Sequence, residues 1–129
     1  MDYQTLIFAV EANVATITLN RSDAMNAMSP LMARELHQTA LEIDERDDVR
    51  AVILTGAGKM FCAGGDLSAF AAAGEGARRL ILEMTGDLHL ALSRLARNPA
   101  PVIAAVNGTA AGAGFSLVMA ADLAVASSK

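Results

Sequence analysis

The stretch PVIAAVNGTAAGAGFSLVMAADLAVAS, residues 101–127, decides the fold. It reads as strand, glycine-rich turn, helix and strand. Residues 102–106 are small and β-branched, as in a strand buried on both faces. Asn107-Gly108 is a turn signal. Gly112 and Gly114 let the backbone come close to a neighbour, and the apolar run 115–121 continues as a buried helix. A glycine-rich turn feeding a helix presents free backbone N–H groups and the positive end of a helix dipole. Such a turn stabilises negative charge on a ligand.

Elimination narrows the kind of charge. A dinucleotide-binding turn needs G-x-G-x-x-G, and Leu117 stands where the third glycine belongs. A P-loop needs G-K-[S/T], and no Lys lies in the turn. A nucleophile elbow needs G-x-S-x-G. Here Gly114-Phe115-Ser116-Leu117-Val118 lacks the closing glycine, and no His follows Ser116. What remains is an oxyanion hole, neutral N–H donors aimed at an oxygen that gains charge during reaction.

The rest of the chain extends the same alternation. Residues 6–10 and 14–19 read as two strands around the tight turn Glu11-Ala12-Asn13, followed by a polar loop over 20–28. Ser29-Pro30 opens a helix whose apolar face is Met32, Leu36, Ala40 and Ile43, and whose end is the charged, solvated run 44–48. Residues 51–55 form a buried strand, and Gly56-Ala57-Gly58 leads from it into a second glycine-rich turn, Ala63-Gly64-Gly65-Asp66. Residues 69–73 read as a short helix and Gly74-Glu75-Gly76 as a mobile link. A long helix follows, with Ile81, Met84, Leu88, Leu92 and Leu95 inward and Arg78, Glu83, Asp87 and Arg94 outward. Gly86 weakens it and Asn98-Pro99 stops it. Alternating strands and helices call for an α/β layered fold with parallel strands.

Composition excludes several classes. The 129 residues suit one domain, spanning 1–129. With 53% hydrophobic but only 4% aromatic residues, the core must be aliphatic, with Ala and Met as fillers. A net charge of −4 with dispersed basic residues leaves no nucleic-acid footprint. A single Cys excludes an internal disulfide framework. The N-terminus lacks a basic, apolar leader, so a cytoplasmic location is the expectation. No charge occurs from Asn98 through Ala121, yet Pro99, Pro101, Asn107-Gly108 and the later glycines break that run, so no membrane span is expected.

Three motifs recur in order: Leu19-Asn20-Arg21-x-x-Ala24-Met25-Asn26-Ala27, Phe61-Cys62-Ala63-Gly64-Gly65-Asp66-Leu67, and Ala105-Val106-Asn107-Gly108-x-Ala110-x-Gly112-x-Gly114. Together they resemble the enoyl-CoA hydratase/isomerase (crotonase) family over almost the whole chain. The resemblance implies a spiral of ββα units, of which this chain would be the N-terminal portion, stopping before the C-terminal helical part. It implies a trimer or hexamer, or a separate chain carrying the C-terminal half. It also implies an acyl-CoA thioester as substrate, with coenzyme A as part of that substrate and neither metal nor redox cofactor. The shared chemistry is stabilisation of a thioester enolate, in hydration or double-bond isomerisation of an enoyl-CoA.

By the same resemblance the oxyanion donors would be the N–H groups of Ala63 and Ala113, where the family usually has Gly at the second position. Ala24, Gly64, Gly65, Asp66, Leu67, Gly112 and Ser116 would contact the substrate. Ser116 departs from the family's hydratases, which place a catalytic Glu there, and the family's second carboxylate would lie beyond Lys129. Hydration of simple enoyl-CoA is therefore expected to be weak, and these residues are not expected to form a complete catalytic unit. The rival expectation is a non-catalytic subunit or fragment that binds CoA esters or assembles. A serine hydrolase using Ser116 lacks visible His and Asp partners.

Structural roles compete at several positions. Asp66 suits a helix N-cap, Cys62 a small buried filler, and Ser116 a hydroxyl bonded along its own helix. His37 and His89 fall within helical patterns, Asp122 suits a cap, and Arg21 and Lys59 are either solvated loop charges or CoA phosphate contacts.

Overall fold

In the computed structural model, residues 2–128 are described. A single five-stranded sheet has the order β1-β2-β3-β4-β5, so every strand lies beside its sequence neighbour. The strands are β1 (Leu6–Glu11), β2 (Val14–Leu19), β3 (Ala51–Gly56), β4 (Val102–Val106) and β5 (Leu123–Ala126). The first pair is antiparallel and the remaining three are parallel. The β1–β2 turn runs through Ala12 and Asn13, both at positive φ. One antiparallel pair followed by parallel strands with helical crossovers is the arrangement that the resemblance leads one to expect of the N-terminal portion of a crotonase-like spiral.

Four helices make the crossovers: α1 (Pro30–Glu45), α2 (Leu67–Ala73), α3 (Ala77–Arg97) and α4 (Ala113–Ala120). Ser29 caps α1 by accepting from the Met32 N–H, with Pro30 at the first helical position. Helices α1 and α3 pack along each other, and the core runs from Leu36, Ala40 and Ile43 to Met84, Leu88 and Leu95. Ile81 and Leu92 are only partly buried. Two expected features differ. Gly74–Gly76 is not a loose link but a 3-10 turn that runs directly into α3. The 20–28 loop likewise contains a 3-10 turn, Ser22–Ala24.

The expected two-sided burial of residues 102–106, and the continuous burial of 51–55, are corrected. Strands β3 and β4 bury alternate residues, Val52, Leu54, Val102 and Ala104, while Ile53 and Ile103 between them are half-buried. Every residue of β5 is exposed. Within α4 only Gly114 and Leu117 are buried, whereas Phe115 and Met119 are 56% and 69% exposed. The sequence run 115–121 is apolar all round, so its composition signals burial that this chain supplies on one side only.

Candidate functional site

The two glycine-rich turns lie against each other beyond the C-terminal ends of β3 and β4. Backbone pairing joins them. The N–H groups of Phe61 and Cys62 both donate to the Thr109 carbonyl at 3.1 Å, and the Ala111 N–H donates to the Cys62 carbonyl at 3.0 Å. The loop after β2 joins on the other side: the Met28 N–H donates to the Gly64 carbonyl at 2.6 Å, and the Asp66 N–H to the Met28 carbonyl at 2.9 Å. Three segments far apart in sequence thus share one small hydrogen-bonded platform.

In the second turn glycine is required at two places for space. A Cβ on Gly108 would overlap the Lys59 carbonyl, and one on Gly114 would overlap the Cys62 carbonyl. At Gly64 and Gly112 the backbone takes φ of +116° and +53°, a conformation that an L side chain resists. The left-handed residue of the second turn is thus Gly112, and Ala113 opens α4 in ordinary helical geometry. An alanine at position 113 costs this turn nothing in backbone strain.

A census of N–H groups locates the free donors. The Ala63 N–H is spent on the Met25 carbonyl at 3.1 Å. The Gly64 carbonyl accepts from the Met28 N–H and from the Cys62 thiol at 3.9 Å, and the Asp66 N–H is held by Met28. In the second turn, Gly114 donates to Ala111 and Ser116 to Gly112. Among the described residues, neither Gly65 nor Ala113 finds an acceptor for its N–H within the protein. The expected first donor, Ala63, is therefore bonded within the protein, while Gly65, two residues later, offers its N–H. Alternation along the bridge with Met28 explains this: Gly64 offers its carbonyl and Asp66 its N–H to Met28, while the Gly65 N–H points the other way.

The predicted contact residues separate into two groups. Ala24, Gly65, Asp66 and Leu67 line one pocket of about 260 Å³ with Met25, Ala27, Ala63 and Ser68. Gly64, Gly112 and Ser116 are not in its lining. Gly64 is buried beneath it, where the site nearest to its missing Cβ is the Ala111 carbonyl of the second turn. Ser116 is exposed on α4, and its hydroxyl faces the Gly112 carbonyl at 3.4 Å. A second cavity, about 350 Å³, lies at the C-terminal end of α3 between Asp44, Arg94 and Pro99, and holds none of the predicted residues.

Asp66 is a structural residue twice over. One carboxylate oxygen accepts from the Ala69 N–H at 3.2 Å and caps α2; the other pairs with the Arg21 guanidinium at 3.0 Å. Cys62 is fully buried, and burial pushes its thiol up from the ordinary value. Asp122 accepts from the Val102 N–H at 2.7 Å, fixing the start of β4. Asn26 is the residue whose importance sequence reasoning missed. Fully buried at φ +53°, it accepts from the Arg21 N–H at 2.7 Å and donates to the Ala57 and Met60 carbonyls, each at 2.9 Å. The available signal was its type, since Asn tolerates the left-handed region better than other side chains. Among the described residues no group of three or more His, Cys, Asp or Glu could hold a metal ion, and no helix is long and apolar enough to cross a membrane.

Comparison with known proteins bears on the family and the fold. Residues 9–129 match the family described as enoyl-CoA hydratase/isomerase. The chain is 41% identical over 126 residues to a probable enoyl-CoA hydratase of Rhodobacter capsulatus, covering 98% of this chain and 47% of that protein. It is 39% identical over 118 residues to the 1,2-epoxyphenylacetyl-CoA isomerase of Escherichia coli, covering 91% of this chain and 45% of that protein. Among solved structures, an enoyl-CoA hydratase of Mycobacterium smegmatis superposes with a TM-score of 0.86 at 39% identity, over 95% of this chain and 48% of that one. AtuE of Pseudomonas aeruginosa superposes with a TM-score of 0.89 at 32% identity, over 98% and 49%. The chain spans about half the length of the curated relatives it matches. With three motifs, a superposable fold and a profile match over nearly its whole length, the chain belongs to the enoyl-CoA hydratase/isomerase family.

Proposed function

We propose that this chain carries the thioester-binding part of an acyl-CoA enzyme that hydrates an enoyl-CoA or moves its double bond. The observation that carries the proposal is the pair of unspent N–H groups, Gly65 and Ala113, on two turns packed together. Both would donate to the thioester oxygen as it becomes an enolate, each worth about 3 kcal/mol in the transition state. Gly65 replaces Ala63 in this role because the Ala63 N–H is already bonded to Met25. The pocket beside Gly65 would receive the CoA arm, with Ala24, Asp66 and Leu67 in its walls. Coenzyme A enters as substrate, and the scheme uses no metal or redox cofactor.

The proton-moving group is the missing part. Asp66 is engaged by Arg21 and by the α2 cap, and the neutral Ser116 hydroxyl has, among the described residues, the Gly112 carbonyl and no activating base as its partner. The working carboxylate would come from a segment outside these 129 residues, in the same product or in a second chain. That segment would also cover the exposed faces of α4 and β5. A homo-oligomer of three or six copies and a cytoplasmic location belong to the same proposal. The alternative, a CoA-ester-binding or assembly subunit without catalysis, draws its support from Ser116.

Calorimetric titration of the chain with acetoacetyl-CoA, beside a crotonyl-CoA hydration assay, tests the proposal. Binding with negligible hydration is the expected result. Failure of a folded chain to bind, or hydration at rates ordinary for enzymes (about 1–1000 per second), would contradict it.

A further inference from the structure

Arg21 is bonded through its backbone N–H, its carbonyl and two guanidinium nitrogens. Its carbonyl accepts from the Ala24 N–H at 2.8 Å and the Asn26 N–H at 2.9 Å. Its own N–H donates to the Asn26 side chain at 2.7 Å. The guanidinium reaches across the pocket wall, donating through one nitrogen to the Ala27 carbonyl and through the other to Asp66 at 3.0 Å. Arg21 and Asp66 side chains are only 23% and 14% exposed, so the pair is partly shielded from solvent.

What this clamp holds is strained. Met25 and Asn26 are consecutive non-glycine residues at φ of +56° and +53°. Such geometry costs free energy and persists only where the surroundings over-determine it. Met25 is also the residue whose carbonyl takes the Ala63 N–H, and Met28 pairs with Gly64 and Asp66. The conformation of the 21–28 loop therefore fixes which N–H groups of the glycine turn are spent and which remains free. Both walls of the pocket, Ala24–Ala27 and Gly65–Asp66, are joined through one guanidinium.

We infer that Arg21 is a positioning residue: through Ala27 and Asp66 it locks the two pocket walls in register and leaves the Gly65 N–H free and aimed. Its role is to hold the pocket walls rather than to contact the phosphates of CoA, since its charge is paired with the Asp66 carboxylate and its fork spans Ala27 and Asp66. Lysine cannot replace it, because one ammonium cannot serve a carbonyl and a carboxylate through a planar fork. This inference rests on the proposed thioester site, and its test separates the two.

The experiment uses Arg21→Lys and Asp66→Asn, each checked for folding by circular dichroism, and two ligands, acetoacetyl-CoA and acetoacetyl-pantetheine. Arg21→Lys should weaken both ligands by the same factor, about tenfold or more for loss of a charge-assisted hydrogen bond. Weakening of the CoA ester alone would identify a phosphate contact and overturn the inference, as would unchanged affinity for both. Amide spectra of the ligand-free chain provide the second readout. Both variants should shift the Ala27 and Gly65 resonances, and the double variant should shift them no further than either single one. If the wild-type chain binds neither ester, the thioester site fails while these spectra still judge the clamp. Unmoved Gly65 and Ala27 resonances in both variants would overturn it, and Asp66→Asn decides alone if Arg21→Lys does not fold.

Discussion

The two glycine turns reach neighbouring positions by different means. The Ala63–Asp66 turn is held by polar groups: Met25 and Met28 backbone partners, the Arg21–Asp66 pair, and the buried Asn26 amide behind them. The 107–114 turn has its own hydrogen bonds, from Phe61 and Cys62 to Thr109, from Ala111 to Cys62, and through the Asn107 amide to Gly56, Gly58 and Met60, but it adds close packing, with Gly108 and Gly114 pressed on the Lys59 and Cys62 carbonyls. Hydrogen bonds can be loosened one at a time. The close packing has no intermediate state, because a methyl group either fits or displaces the backbone.

Gly108→Ala should break the comparison most severely. Overpacking against a backbone carbonyl that cannot rotate away is expected to cost about 3 kcal/mol, read as a lower urea midpoint. An unchanged midpoint would show that the turn is not close-packed. Ala113→Pro should come next. Proline suits the first helical position, so α4 should survive while its free N–H disappears. Affinity for acetoacetyl-CoA should fall about tenfold, the worth of a hydrogen bond to a charged oxygen, with stability nearly unchanged. Loss of folding instead would mean that the proline disturbs more than the donor.

The chain's architecture was largely legible before the structure. Ser29-Pro30, the 3.6-residue spacing of Met32, Leu36, Ala40 and Ile43, and the Asn98-Pro99 stop mark α1 and α3 through local chemistry. Which glycine N–H is free was not legible, because it depends on pairing between Met28 and Gly64–Asp66 across more than thirty residues. The exposure of Phe115, Met119, Leu123 and Val125 was hidden for a different reason. Hydrophobicity states that a residue can be buried, not whether this chain provides the cover.

A carboxylate outside both turns sharpens the comparison as a control. Burial pushes the Glu35 carboxyl up, but hydrogen bonds from the Thr5 hydroxyl and the Gln4 and Thr5 N–H groups outweigh it and hold it below the ordinary value. Its folded value lies below its unfolded one, so its stabilisation is complete above the unfolded range, about pH 4.3. That stabilisation is lost as pH falls through the lower folded value. Glu35→Gln should flatten this acid limb and leave both turns intact. An acid limb as steep as in the wild type would mean that other carboxylates dominate it. The smallest effect should come from Gly86, which is exposed mid-helix in α3, where an added methyl group would meet no neighbouring element. Gly86→Ala should raise stability by about 0.5–1 kcal/mol, opposite in sign to the same substitution at Gly108. A loss of stability would place an unrecognised contact on that face.

The most direct measurement is an amide-resolved NMR titration of the folded chain with acetoacetyl-CoA. Two donors sharing one thioester oxygen should respond together, so the Gly65 and Ala113 amide protons should shift downfield along one saturating curve while Ala63, bonded to Met25, stays nearly still. Saturation that shifts Ala63 and leaves Gly65 and Ala113 unmoved would contradict the account.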